Sequence, residues 1–585
     1  MQDHRNILLA ILLSVLLLFG WDAAMQYLYP QPEEVAPTTE KIDTPVEQAA
    51  VAAAQHSRTG GLVDPAELAR EKQDITTALA SPDRLRIDSA RVAGSINLRG
   101  AVIDDIVLKD YAESTDKDSG PVRLFSPRGT PAQQFAQFGW VGSGVAVPDA
   151  NTLWQADNRV LTQAQPVTLR YENGQGQRFA IRLSIDDHYM ITAQQSVANA
   201  GGAPVVVRPF GLINRTSRTA SEDLWVAHSG PIGVFGDAAN YDVDYDTLDE
   251  DGRITPQGRP GWLGFTDIYW LTALVPQAGT AADATFRPLG GEIYRSDMIY
   301  EPVTVPAGRS LTTTSRLYAG AKDSAVLDTY QDAGIPQFGL AIDWGWFRWF
   351  EKPILWLLKS IFAIVGNFGV AIILLTVIVR GIMFPVAQKQ FASMAAMKAI
   401  QPKMKALQEK HKDDKQKQQQ EIMALYKQEK VNPVAGCLPM ILQIPIFFAL
   451  YKVLILAIEM RHRDFLWIRD LSAPDPATIL NLFGLLPFQP PGFLAIGVLA
   501  LLLGFTMWLT FKLNPNTGDP IQQQLFNIMP WVLMFVMAPF AAGLLLYWVT
   551  SNVLTLAQQK YLYSKHPALR AQAEKDQAEK AAAKA

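Results

Sequence analysis

The run TVIVRGIMFPV (376–386) sets one arginine, Arg380, inside an otherwise apolar stretch. By insertion scales an arginine near the centre of a membrane helix costs about 2.5–3.5 kcal/mol, so few folds can hold it. Between Asn367 and Lys389 it is the only charge. At about 1.5 Å per residue this stretch covers roughly 33 Å, enough to cross a hydrocarbon core of about 30 Å. The pattern therefore predicts a membrane helix whose next charge is Lys389. The guanidinium then either snorkels to the headgroups or occupies a solvated place between helices.

Composition supports a membrane reading through its distribution. Of 585 residues, 49% are apolar and the net charge is −4. The long uncharged runs gather at the N-terminus and after residue 350. The opening MQDHRNILLAILLSVLLLFGWDAAMQYLY begins with a basic segment and stays apolar past Trp21. A cleaved signal peptide is one reading, but no convincing small-residue cleavage site follows. An uncleaved anchor over 1–29, with its N-terminus in the cytoplasm, fits better. Residues 30–60, rich in Pro, Ala, Thr and Glu, read as a flexible linker.

Residues 61–330 read as soluble and β-rich. PVTLRYENGQGQRFAIRLSIDD alternates apolar and polar residues on both sides of ENGQGQ, the pattern of a hairpin. Many short strands without a long helical stretch predict one large periplasmic all-β sandwich. The only cysteine is Cys437, so this domain has no disulfide and rests on its core. His188 and His228 are conceivable members of a carbohydrate site, or ordinary surface and packing residues.

After Trp344 the composition changes. WGWFRWFEKPILWLLKSIFAIVG mixes tryptophan with Lys and Arg, which suits an interfacial amphipathic helix over 340–365 or an aromatic belt. A second span is expected over 366–387. Residues 388–432 hold ten lysines and five acidic residues. Met394, Met397, Ile400, Met404 and Leu407 recur at helical spacing, then Ile422 and Leu425, around a turn at KHKDDKQK. This predicts a cytoplasmic helical hairpin by the positive-inside rule. Its apolar stripe is either a seam between the two helices or an adaptable docking surface. The third span is expected at 434–458, a periplasmic loop at 459–492 and the fourth span at 493–511. The region 521–560 is too long for one crossing. It divides at APFAAG into spans at 521–538 and 542–559, followed by a cytoplasmic tail over 560–585. The expected fold is thus a polytopic α-helical membrane protein of six spans, both termini cytoplasmic, with a large periplasmic domain.

Thr376, Arg380, Gln443, Asn527, Ser551 and Asn552 place polar groups at membrane depth. Such groups face one another or a wet cavity. Either interhelical hydrogen bonds simply hold the bundle, or a groove open to the cytoplasm receives them.

VNPVAGCLPMILQIPIFFALY (431–451), TVIVRGIMFPV, ALYKQEK (424–430), DLSAPDP (470–476) and LYWVTSNVLTLAQQ (546–559) closely resemble the YidC/oxidase-assembly insertase family. The likeness is strong over residues 340–565, and the plan with a large first periplasmic domain looks like the Gram-negative branch. The resemblance implies a five-helix insertase core in the inner membrane and a sugar-mutarotase-like periplasmic sandwich without accepted enzymatic activity. It implies an insertase and chaperone for nascent membrane proteins, acting alone or with the Sec translocon (SecYEG and SecDF). The resemblance also implies the ribosome or the signal recognition particle receptor, and the phospholipid bilayer, as partners. In this family a groove arginine, here Arg380, draws in the hydrophilic tail of the client. The client's apolar part slides along positions that correspond to Ile444, Pro445, Phe447 and Val536. The stretch 481–498 looks longer than the family pattern, which leaves the start of the fourth span open. The tail from Lys560 onward, with six basic and three acidic residues, is only mildly basic.

The chain has no P-loop, HExxH or CxxC motif, so no nucleotide hydrolysis, metal or other cofactor is expected. Insertion would be driven by burial of client CH₂ groups, about 0.8 kcal/mol each. The membrane potential adds about 2.3 kcal/mol per charge per 100 mV. A solute transporter should show duplicated halves, and none is visible among the spans. A pure scaffold should pair off its polar groups and leave no groove.

Overall fold

The computed structural model describes residues 38–40, 75–116, 118–221, 227–236, 238–345, 348–412, 414–429, 438–483, 486, 495–513 and 520–565. The expected anchor at 1–29, most of the linker, residues 431–437 with Cys437 and the tail beyond Lys565 lie outside them. The chain divides into two compact units. Residues up to Tyr111 with Pro121–Ala341 form one, and Ala112–Gly120 with Ile342–Ala585 form the other.

The first unit is built from two sheets, of 12 and 9 strands. Strands Val167–Glu172 and Gln177–Ile185 pair antiparallel, so the hairpin expected at ENGQGQ is present. Gly174 and Gly176 in its turn adopt φ of 71° and 93°, a region glycine enters without a Cβ penalty. Gln177–Ile185 alternates buried and less buried positions along its whole length, the period of a strand with one face in a core. Phe179, Ile181 and Leu183 on that face are buried. The sheets pack face to face, and polar groups bridge them where they are buried. Gln134 donates to Thr272 Oγ1 at 3.1 Å, Gln195 to the Gly139 carbonyl at 2.7 Å, and Arg215 pairs with Asp267 at 2.7 Å. This is the expected sandwich.

The second unit is helical. Its helices are α1 (Arg348–Val365), α2 (Phe368–Ile382), α3 (Phe384–Lys410), α4 (Lys415–Gln428), α5 (Leu438–Leu456), α6 (Val498–Leu513), α7 (Pro520–Met537) and α8 (Ala542–Lys565). Among the described residues no single helix is long and apolar enough to cross a membrane. Residues Phe368–Ile382 and Phe384–Ser393 pass together, as a pair bent by 61°. The bend falls at Met383, and Pro385 sits in the first turn of α3. Proline is tolerated there because the first N–H groups of a helix lack partners anyway. The break between α7 and α8 falls within APFAAG.

The Asn367 end of α2 is firmly tied. The Asn367 side chain accepts from the Val370 amide at 3.1 Å and donates to the Asp464 carbonyl at 3.3 Å. Phe362 and Phe368 stack 3.8 Å apart under the Arg463 guanidinium. α3 and α4 pack against each other, with α3 beginning at Phe384. Ile400, Met404 and Leu425 are buried, and the Tyr426 hydroxyl donates to Met404 Sδ at 3.2 Å. These residues therefore form a seam. Met423, on the other face of α4, is exposed.

Candidate functional site

Three of the predicted polar residues, Arg380, Gln443 and Ser551, meet around α8. Arg380, near the end of α2, donates from Nε to Ser551 Oγ at 3.0 Å and from Nη2 to the same oxygen. One turn earlier on α8, the Tyr547 hydroxyl accepts from Gln443 Nε2 of α5 at 2.5 Å. Residues four apart lie on one helix face, so α8 presents Tyr547 and Ser551 to α5 and α2 together. Arg380, Ser551, Tyr547 and Gln443 thus form one constellation across three helices. Ser551 and Tyr547 are buried, while Arg380 and Gln443 are half-buried.

The charge of Arg380 is not matched. Among the described residues no carboxylate forms an ion pair with it, and its acceptor is a neutral hydroxyl. Cations in such helices normally find a partner or water. A guanidinium carries five donors, and only two of its nitrogens are engaged here.

The other predicted residues divide into two groups. Thr376 is fully buried one turn from Arg380, and its hydroxyl donates to the Ile372 carbonyl of its own helix at 2.7 Å. Back-bonding of this kind hides a hydroxyl within its own helix. Asn552 turns towards α6 and donates to Thr506 Oγ1 at 3.2 Å. Both lie within helix packing. Ile444 and Val536 are exposed, at 49% and 54%. Phe447 packs on Trp548, and Pro445 is half-buried. Asn527 is exposed on the first half of α7. Ile528, Trp531, Val532, Phe535 and Val536 share the exposed face of that helix, an apolar stripe at helical spacing. Tyr547 was absent from the sequence-derived candidates. Its signal was its place four residues before Ser551, one turn away.

His188 and His228 enter separate packing contacts. The His228 ring lies 2.7 Å from the Pro231 carbonyl and edge-on to Tyr241. His188 stands edge-on to Tyr330.

At the Arg348 end of α1, burial pushes the Glu351 carboxyl up to about 7. Asp343 raises it further, and Lys452 opposes the shift. Its Oε2 has no hydrogen-bond partner, and Lys452 lies 3.4 Å from Asp343. Trp349, Trp356 and Ile364 leave α1 with a strongly exposed apolar face.

Two family models match the chain. "60Kd inner membrane protein" covers residues 360–569 and "YidC periplasmic domain" residues 84–357. A protein of Zymomonas mobilis subsp. mobilis called "Membrane protein insertase YidC" is 44% identical over 570 residues, covering 97% of this chain and 96% of its own. A protein of the same name from Beijerinckia indica subsp. indica is 43% identical, with 96% of each chain covered. The solved structure "Active YidC insertase crystal structure with the first transmembrane domain resolved" is 18% identical at a TM-score of 0.35. That comparison covers 84% of this chain and 98% of the other.

Proposed function

The chain belongs to the YidC family of membrane protein insertases, and on that premise we propose how its polar constellation receives a client. The family is membrane-located, is not an enzyme family and acts on nascent membrane proteins. In our reading Arg380, with Ser551, Tyr547 and Gln443 around it, lines a hydrated groove open to the cytoplasm. The acidic or polar tail of a client enters there, while its apolar segment lies along Ile444, Pro445 and Phe447 of α5 and the exposed stripe of α7 that contains Val536. Asn527 stands at the entrance, and Thr376 and Asn552 hold the groove walls.

The observation that carries this reading is the cation without a carboxylate. At about 4 Å and an effective dielectric near 20, a client carboxylate is attracted by about 4 kcal/mol before desolvation. The net value is smaller, which suits a contact that must later release. Transfer of the apolar segment into lipid supplies the driving force, with no nucleotide consumed.

The placement in the membrane belongs to the same proposal. The anchor at 1–29 and spans at 366–387, 434–458, 493–511, 521–538 and 542–559 give six crossings of the inner membrane of a Gram-negative bacterium, with both termini cytoplasmic. The interfacial helix at 340–365 rests at the membrane surface, and 459–492 is periplasmic. The sandwich at 61–330 is periplasmic, and the hairpin at 388–432 meets client or targeting factors in the cytoplasm. The Sec translocon, the ribosome and the signal recognition particle receptor are the proposed partners.

The test compares clients with acidic and neutral tails in a reconstituted insertion assay. Arg380→Ala should slow insertion mainly for acidic tails, and Arg380→Lys should keep much of the activity because a wet groove needs only the charge. The hydrogen bonds to Ser551 favour a second role, bracing α2 against α8. Equal defects for both clients would select that role and sink the groove reading.

A further inference from the structure

The outer face of the 12-stranded sheet carries a row of side chains that the insertase reading does not use. In the strand register Arg287 stands directly opposite Arg295, Arg295 opposite Asn214, and Asn214 opposite Phe135. Directly opposed residues of antiparallel strands share a face of the sheet. This face points away from the second sheet, because the alternate residues Phe286, Tyr294 and Ile213 are buried in the core. Arg128, from the loop ahead of Phe135, lays its guanidinium 5.1 Å above the Phe135 ring. Arg295 donates from Nε to Asn214 Oδ1 at 2.8 Å.

Three guanidinium groups therefore lie along one patch, and burial, then Arg287 and to a smaller degree Arg128, disfavour the charged form of Arg295. Among the described residues Asp297 is the one carboxylate that acts on Arg295. It offsets the cluster in part, one carboxylate against three guanidinium groups, and is paired with Arg287. Its Oδ1 accepts from Thr285 at 2.9 Å, and its Oδ2 lies 3.1 Å from Arg287 Nε without an aligned hydrogen bond. Like charges directly opposed across strands destabilise a sheet, so this arrangement gains from an added anion.

We propose that Arg128, Arg287 and Arg295 form a cradle for a phosphate oxyanion. Guanidinium forks match phosphate geometry, and three neighbouring guanidinium groups offer more donors than the two oxygens of a carboxylate can accept. The phosphate is carried either by a lipid headgroup or by a soluble ligand.

The test uses the full chain in nanodiscs of phosphatidylcholine, titrated with inorganic phosphate against chloride at matched ionic strength. Calorimetry should show saturable binding. Losing charge-assisted contacts in the Arg287→Gln/Arg295→Gln variant should weaken it about tenfold or more. Asp297→Asn should tighten binding, because it removes the competing carboxylate. Discs of phosphatidylglycerol separate the sources. A lower apparent affinity for added phosphate there means that a headgroup reaches the cradle, and equal affinity means a soluble ligand. Absence of saturable binding, or unchanged binding in the folded double variant, overturns the proposal. If the double variant does not fold, Arg128→Gln at an exposed position decides: it weakens binding or the cradle does not exist.

Discussion

Gln443 and Tyr547, 104 residues apart in sequence, join α5 to α8 through a hydrogen bond of 2.5 Å. Tyr547 is buried, and its hydroxyl accepts from the amide of the half-buried Gln443. The bond holds in place the helix that also presents Ser551 to Arg380.

Tyr547→Phe should lower stability by about 1 kcal/mol, because it removes the hydrogen bond that joins α5 to α8. Replacing both partners, as Tyr547→Phe with Gln443→Leu, should recover part of that loss. Thermal unfolding of the four proteins in detergent closes the double-mutant cycle. A purely additive result would show that the two side chains do not depend on each other.

Asp475 should behave as a tertiary cap for α6. Its Oδ2 accepts from the Leu499 amide at 2.9 Å, and its Oδ1 from Ala477 N and Trp467 Nε1, both at 3.0 Å. Asp475→Ala leaves three donors unmet and should cost about 2–4 kcal/mol. Asp475→Asn keeps one acceptor oxygen and should cost less. Gly497→Ala would place a Cβ 2.6 Å from the Asp475 Cβ and should mimic the loss. Melting temperatures rank the three variants; a neutral Asp475→Ala contradicts the assignment.

Glu351 predicts a pH dependence at the Arg348 end of α1. Its carboxyl is pushed up from its ordinary value of 4.5 to about 7, chiefly by burial. A group raised in the folded state gives stability that is complete below its unfolded value and lost as pH rises through the folded one. Packing of α1 should therefore loosen between about pH 4.5 and 7, as the buried carboxyl ionises. Amide exchange over residues 348–358 should accelerate in that window, and Glu351→Gln should flatten the profile. An unchanged profile in that variant would assign the effect elsewhere.

Labelling tests the proposed topology of the hairpin. Asp414 caps α4 by accepting the Lys417 amide at 3.0 Å and is exposed. In a Cys437→Ser background, Asp414→Cys should react with a membrane-impermeant maleimide only once the cytoplasmic side is opened. Reaction from the periplasmic side in intact spheroplasts would overturn the six-span arrangement.

Period and composition were enough for the broad division of the chain. Alternation around ENGQGQ marked a hairpin, because a strand with one face in a core must alternate. The recurrence of Ile400 and Met404, with Leu425 beyond the turn, marked two helices with an apolar stripe, and the structure makes that stripe a seam. Arg380, Gln443 and Ser551 stood out as polar groups where apolar ones are expected.

The limits of local pattern are equally specific. The apolar run through Met383 hides the 61° bend, since a proline in the first turn of a helix leaves no trace in hydropathy. Tyr547 reads as one more aromatic of a membrane helix until Gln443 is beside it. The opposition of Arg287 to Arg295, and of Arg295 to Asn214, exists only once the strands are in register. By itself the sequence determined the broad division into a β-rich and a helical part and which positions are anomalous, because periodicity and burial cost act along the chain. Tertiary structure decided which anomalies meet: hydrogen bonds and charge pairs depend on distances of a few ångströms between residues far apart in sequence, and only packing sets those distances.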